Sequence, residues 1–130
     1  MKKLDFTTPY YDYKVTLLQE EGKDDANPIC QYLKSNKLGD DVIEDVKYNI
    51  ENGYVDGGET NWNQSTKRII VIFYTFTSDS KMAEVFSHEK RHIEDRILQH
   101  CKVDDIEAAW YLAGFFGVKF YKFWNMLKSK

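Results

Sequence analysis

The chain has little cysteine and no Cys-based ligand pattern. Its two cysteines, Cys30 and Cys101, are far apart and form neither a CxxC motif nor a Cys/His cluster. This spacing excludes a disulfide-rich framework and a cysteine-ligated zinc module. Because a free cysteine is among the residue types most often buried, we expect both to be small core residues.

The sequence also lacks long apolar runs. The opening stretch MKKLDFTTPYYDYK has two lysines but no hydrophobic region after them, so it does not resemble a secretory signal. No segment approaches the roughly 18 apolar residues that a membrane span requires. These absences predict a cytoplasmic protein with no membrane partner.

An excess of one charge is missing as well. Residues 1–66 carry 7 Lys or Arg against 13 Asp or Glu, whereas residues 67–130 carry 11 against 8, and the net charge is -3. Because this asymmetry is mild, it argues against a dedicated nucleic-acid-binding protein.

What is present is enough apolar material for one core. With 130 residues, 42% of them hydrophobic, the chain is long enough for a single domain over residues 1–130 and too short for two. Period-two alternation over residues 11–17 predicts a half-buried strand, and helices are expected from Pro28 and from Asp40 or Asp41. The β-branched and aromatic run at 68–76 predicts the second strand of a hairpin.

Two longer helices follow. Ser78 or Asp79 can cap the first, whose apolar stripe is Met82, Val85, Phe86, Ile93 and Ile97. The second is expected from about Asp104. Its predicted buried side consists of Ile106, Trp110, Ala113, Gly117, Phe120, Trp124 and Leu127.

The first of these helices carries two histidines four residues apart. On an α-helix, side chains at this spacing lie about 40° apart around the axis, so His88 and His92 project from one face and can share a metal ion. Glu89 lies beside the pair. A bound zinc lowers the pKa of its water toward about 7, and an adjacent carboxylate can accept the proton as the water attacks a polarised carbonyl.

The stretch His88-Glu89-Lys90-Arg91-His92 matches the HExxH signature and resembles that of the zincin zinc metallopeptidases. The resemblance covers roughly residues 54–117 and is closest to the short, minimal gluzincin type. It implies an α+β, zincin-like fold, with a small and mainly antiparallel sheet packed on the motif helix and on a long C-terminal helix. It also implies Zn²⁺ as cofactor, His88 and His92 as ligands, Glu89 as general base, and a peptide or protein substrate paired with the strand at 68–76.

The third zinc ligand is open from the sequence. Glu107, fifteen residues after His92, resembles the glutamate ligand that gluzincins take from the following helix. It also stands at capping-box spacing from Asp104, so it can equally serve only as a cap. Asp104, Asp105 and His100 are the other candidates.

Other interpretations remain beside the peptidase. Asp95 can orient the His92 imidazole from behind the ligands, or it can be a solvated acid. The charged pair Lys90 and Arg91 favours a zincin-like binding or regulatory protein without hydrolytic activity. A third possibility is a helical interaction module, because the charges around the motif are spaced to form ion pairs along the helix surface.

Overall fold

The strands and helices alternate along the chain in a simple order. The computed structural model describes residues 1–129. Its strands are β1 (Lys2–Thr7), β2 (Lys14–Gln19), β3 (Gly58–Asn63) and β4 (Arg68–Phe73), and a short 3-10 helix (Lys23–Asp25) follows β2. Its α-helices are α1 (Ala26–Ser35), α2 (Asp40–Glu51), α3 (Asp79–His100) and α4 (Ile106–Lys128).

The two most apolar strands lie in the centre of one sheet, whose strand order is β1-β2-β4-β3. β1 is antiparallel to β2, and β3 is antiparallel to β4. The central strands β2 and β4 run parallel, joined by a crossover through α1, α2 and β3. The sheet is therefore mixed. A mainly antiparallel sheet was predicted from the sequence, and the parallel pairing of β2 with β4 was not predicted.

Helices cover both faces of the sheet. In β4, Ile69, Val71 and Phe73 point toward α3 and α4, whereas Ile70 and Ile72 point toward α1 and α2. All five side chains are fully buried. This explains why β4 reads as a continuous apolar run rather than as an alternating pattern.

The α+β class predicted from the sequence is confirmed, and β4 covers residues 68–73 of the run at 68–76 that predicted the second strand of a hairpin. The expectation of a half-buried strand at 11–17 is wrong in two respects. β2 begins at Lys14, and every later residue in it is buried because α1 and α2 cover its second face. β1 was not predicted. Cys30 and Cys101 are both unpaired and half-buried.

The motif helix begins as the sequence indicated. The Ser78 hydroxyl caps α3 by accepting a hydrogen bond from the Lys81 backbone N–H at 3.1 Å. The apolar stripe packs inward, with Met82, Phe86, Ile93 and Ile97 buried.

The predicted buried side of α4 is partly wrong. The helix buries Leu112, Phe116, Phe120 and Phe123 against the sheet and α3, while Ile106 and Trp110 are exposed. Bulky apolar residues occur all around this helix, so its sequence periodicity does not single out one face. Within residues 1–129, no helix combines the length and the apolar content that crossing a bilayer requires.

Candidate metal centre

A glycine lets the motif helix approach the edge of the sheet. A Cβ atom built on Gly58 in β3 would lie 3.0 Å from Val85 Cγ1 and 3.2 Å from Glu89 Cγ. Both distances are shorter than ordinary carbon contacts. The missing side chain therefore brings this part of α3, including Glu89, directly against the edge strand.

The two motif histidines converge on the solvent side of this contact. The Nε2 atoms of His88 and His92 are 2.9 Å apart, and the two rings are nearly perpendicular. Both side chains are exposed, whereas Glu89 between them is only 3% exposed. His88, Glu89 and His92 each place one ligand atom within 4.8 Å of the others.

This donor set fits a divalent ion such as zinc. With Zn–N bonds of about 2.0–2.1 Å, two nitrogens 2.9 Å apart subtend an angle of roughly 90° at a shared ion. A small outward rotation of either ring opens that angle toward the tetrahedral value. Two imidazoles and a carboxylate are ligands that zinc accepts, and the solvent side leaves room for a water or substrate oxygen.

Glu89 is the least usual group in the site. Its Oε2 atom is buried and has no hydrogen-bond partner. Burial raises the pKa of the Glu89 carboxyl above its ordinary value, the charges on His92 and His88 oppose this, and Glu59 adds to it. A buried carboxylate without a partner is costly for the fold alone, and this is a reason to assign it a function.

The raised pKa of Glu89 gives a prediction for the metal-free protein. Because the folded-state pKa lies above the unfolded value, stability is lost as pH rises through this interval. Glu89→Gln, measured in chelator by urea unfolding, should therefore be more stable than the wild type at neutral pH. The advantage should shrink as the pH falls from the raised folded-state pKa toward about 4.3, the ordinary value for glutamate, and should be absent below that pH.

The exposed Glu84, on the same helix, provides the matched control for this measurement. Glu84→Gln should give no comparable pH-dependent gain. An unchanged difference between Glu89→Gln and the wild type at acid and neutral pH would show that the buried charge is not the cause.

The structure does not bring Glu107 to the histidine pair. α4 runs antiparallel to α3, with a Cβ built on Gly117 3.8 Å from Lys90 Cε. This register places Glu107 level with the C-terminal end of α3, roughly 12 Å along the axis from His92. Within the part of the chain that the structure describes, the group contains only His88, Glu89 and His92.

The other candidates for a third ligand also lie near that end of α3. Asp105 caps α4, since its Oδ1 accepts a hydrogen bond from the Glu107 backbone N–H at 2.9 Å. The capping box between Asp104 and Glu107 was therefore predicted one residue away from the observed cap. His100 packs edge-on against the Trp62 ring, 5.5 Å between centroids.

The charged residues around the motif form ion pairs along α3. Lys90 Nζ lies 2.6 Å from the Glu94 carboxylate, and Arg91 Nε lies 3.2 Å from Asp95 Oδ1. Asp95 is thus paired with Arg91 and makes no hydrogen bond to His92 among the described contacts. These two ion pairs match the interpretation of α3 as a helix with a charged, ion-paired surface. Glu89 belongs to neither pair.

The strand at 68–76 that was expected to pair with substrate is not an edge strand. β4 is hydrogen-bonded to β2 on one side and to β3 on the other, so it has no free edge. β3 is the edge strand and lies over the motif helix. Near its start, a cavity of about 270 Å³ is lined by the loop residues Tyr54, Asp56 and Gly57, by Gly58, and by Glu84, Val85 and His88.

Two functional neighbours were missed by sequence reasoning. The sequence pattern gave no expectation for Gly58, although its lack of a side chain lets Glu89 lie against β3. Glu59 on β3 accepts a hydrogen bond from the buried Tyr74 hydroxyl, which also accepts one from Asn49 Nδ2 at 3.3 Å. In the sequence, the only feature that marks these two residues is the Gly-Gly-Glu run at residues 57–59, where β3 begins.

Comparisons with protein-family models, with curated protein sequences and with solved structures found no match. The resemblance to zincins therefore rests on the HExxH motif at residues 88–92.

Proposed function

We propose that the protein binds one zinc ion through His88 and His92 and hydrolyses peptide bonds with Glu89 as the general base. The observation that carries this proposal is the convergence of the two Nε2 atoms to 2.9 Å with the Glu89 carboxylate within 4.8 Å. A shared ion accounts for this convergence, and a direct hydrogen bond between the two imidazoles is the metal-free arrangement of the same atoms.

Each residue has a separate task in this mechanism. When bound, zinc would supply a water acidified to near neutral pH and would polarise the substrate carbonyl. Glu89 accepts the proton of the attacking water and returns it to the leaving amine. The free edge of β3 can pair with an extended peptide, and the cavity beside His88 can take one of its side chains.

A zincin-like arrangement is part of the same proposal. The edge strand β3 and its partner β4 are followed by the motif helix α3 and then by the antiparallel helix α4. The resemblance implies this order of hairpin, motif helix and second helix. Of the elements at the N-terminal side, β1 and β2 complete the sheet and α1 and α2 cover its other face, and none of them contributes a residue to the His88 group.

A second candidate is a metal-binding protein without hydrolytic activity. Glu89 is the third member of the ligand group and is 3% exposed, so it can serve as the third ligand. A carboxylate that binds the ion cannot also act as the base. The two candidates therefore assign Glu89 incompatible roles.

Glu89→Gln separates the two candidates. If Glu89 is the base, the variant should keep its zinc while cleavage of a mixed peptide library falls by about 10²- to 10⁴-fold. If Glu89 is a ligand, the variant should lose zinc as well. Zinc content and library cleavage, read by mass spectrometry on the same samples, decide the matter.

Asp95→Asn is the matched control, because it removes an exposed carboxylate one turn from His92 on the same helix. It should leave both zinc content and cleavage unchanged. Cleavage that survives in Glu89→Gln would exclude Glu89 as base, and a zinc-loaded wild type that cleaves nothing in the library would favour the non-hydrolytic protein.

A further inference from the structure

α4 exposes a row of large apolar side chains to solvent. Five residues on its outer face form what we call the α4 stripe: Ile106, Trp110, Tyr111, Val118 and Tyr121, which are 63%, 67%, 48%, 66% and 68% exposed. Tyr10 extends it, with its ring 5.9 Å from that of Tyr111. Single exposed apolar residues are ordinary, but a continuous row of this kind marks an interaction surface.

The middle of the stripe contains a glycine. Gly114 lies between Tyr111 and Val118, and a Cβ built there would have no neighbour within 4 Å. Glycine is among the least favourable residues in a helix interior. Its presence at an exposed helical position with open space around it is explained if a side chain of a partner occupies that space.

We propose that the α4 stripe is the interface of a homodimer, in which α4 packs antiparallel against α4 of a second copy of this chain. A two-fold axis midway between Gly114 and Val118 places Gly114 against Val118 of the second copy, and Tyr111 against its Tyr121. Gly114 of each copy thus leaves room for Val118 of the other, the two tyrosines lie side by side, and both contacts occur twice, as an isologous interface requires.

The charges along α4 favour the same antiparallel arrangement. Its N-terminal end carries the exposed Asp104, Asp105 and Glu107, and its C-terminal half carries the exposed Lys122. Lys128, beyond it, pairs with Asp79, and Lys119 lies over the rings of Phe6 and Phe115 within the same chain. Antiparallel packing sets the acidic end of each copy beside the basic end of the other. A parallel pair would place like charges together, so the charge pattern selects the orientation.

The exposed area is adequate for such an interface. At about 200 Å² per aromatic side chain, Trp110, Tyr111, Tyr121 and Tyr10 together expose roughly 540 Å². Ile106 and Val118 add to this, which approaches the roughly 800 Å² that each partner contributes to a stable complex. Tyrosine and tryptophan are also the residues enriched at such interfaces.

Sedimentation velocity of the full chain over a wide concentration range tests the proposal. The wild type should sediment as a dimer. Val118→Arg should weaken the dimer by about 100-fold or more, since symmetry buries two added charges at the centre of the contact. Tyr121→Ala, a milder change, should weaken it in the same direction. Circular dichroism confirms that each variant is folded.

The matched control is Tyr48→Arg, a substitution of an equally exposed tyrosine (66%) on α2, on the other side of the sheet. It should leave the dimer intact. A wild type that stays monomeric at all concentrations overturns the proposal. This holds also if the monomer binds lipid vesicles through the stripe. A dimer that persists in Val118→Arg, or that Tyr48→Arg disrupts equally, overturns it too. Zinc binding and peptide cleavage do not enter this test.

Discussion

Replacing His88 and His92 together with alanine should lower the affinity of the protein for zinc by more than about 100-fold. The two imidazoles are the nitrogen donors of the group, with their Nε2 atoms 2.9 Å apart, and without them only the Glu89 carboxylate remains. One carboxylate does not hold zinc against water and buffer. Competition titration with a zinc-binding dye measures the change directly.

The third histidine of the chain is the matched control for this experiment. His100 lies two turns beyond His92 and packs against Trp62. His100→Ala should leave zinc affinity within experimental error of the wild type. An equal loss in His100→Ala and in the double variant would mean that the chain binds zinc nonspecifically through exposed imidazoles.

Phe86→Ala should lower the free energy of unfolding by about 3–5 kcal/mol, as is typical when a buried phenylalanine is truncated. Phe86 is 6% exposed and lies where the sheet, α3 and α4 meet. Its ring lies 4.5 Å from that of Phe73 on β4, and 5.7 Å and 6.1 Å from those of Phe120 and Phe123 on α4. Urea unfolding of the metal-free protein gives the value.

Tyr48→Ala provides the reference for a surface aromatic, because Tyr48 is 66% exposed. Its effect should stay within about 0.5 kcal/mol. If Phe86→Ala cost less than about 1 kcal/mol, the aromatic cluster would not be the closely packed core described here.

The elements whose burial follows one simple pattern were predicted from the sequence. The start of α3 follows from Ser78 and its inner face from an apolar stripe at helical spacing. The hairpin of β3 and β4 follows from a turn-rich segment before a β-branched run. In each case local sequence and tertiary packing favour the same structure.

The parts of the fold that were not predicted depend on contacts between elements that lie far apart in the sequence. β2 alternates in sequence but is buried on both faces, because α1 and α2 cover the side that the pattern assigned to solvent. α4 has apolar residues on every face, so only its packing against Phe73 and Phe86 selects the buried one. The exposed face that results is the α4 stripe.

The candidate site was likewise predicted only in part from the sequence. The convergence of His88 and His92 follows from their spacing on a helix, and it is found in the structure. The burial of Glu89 depends on Gly58, some thirty residues earlier in the chain. The expectation that Glu107 reaches the site depended on the register of α4 against α3, which no periodicity in either helix specifies.

The central claim is that one divalent ion sits between His88 and His92. Diffraction from zinc-soaked crystals, recorded on both sides of the zinc absorption edge, tests it most directly. We expect one anomalous peak per chain about 2.0–2.1 Å from Nε2 of both histidines, with Glu89 either bound to the ion or one water away. A peak bound to only one of these imidazoles, or no peak at this position in zinc-containing crystals, would contradict the claim.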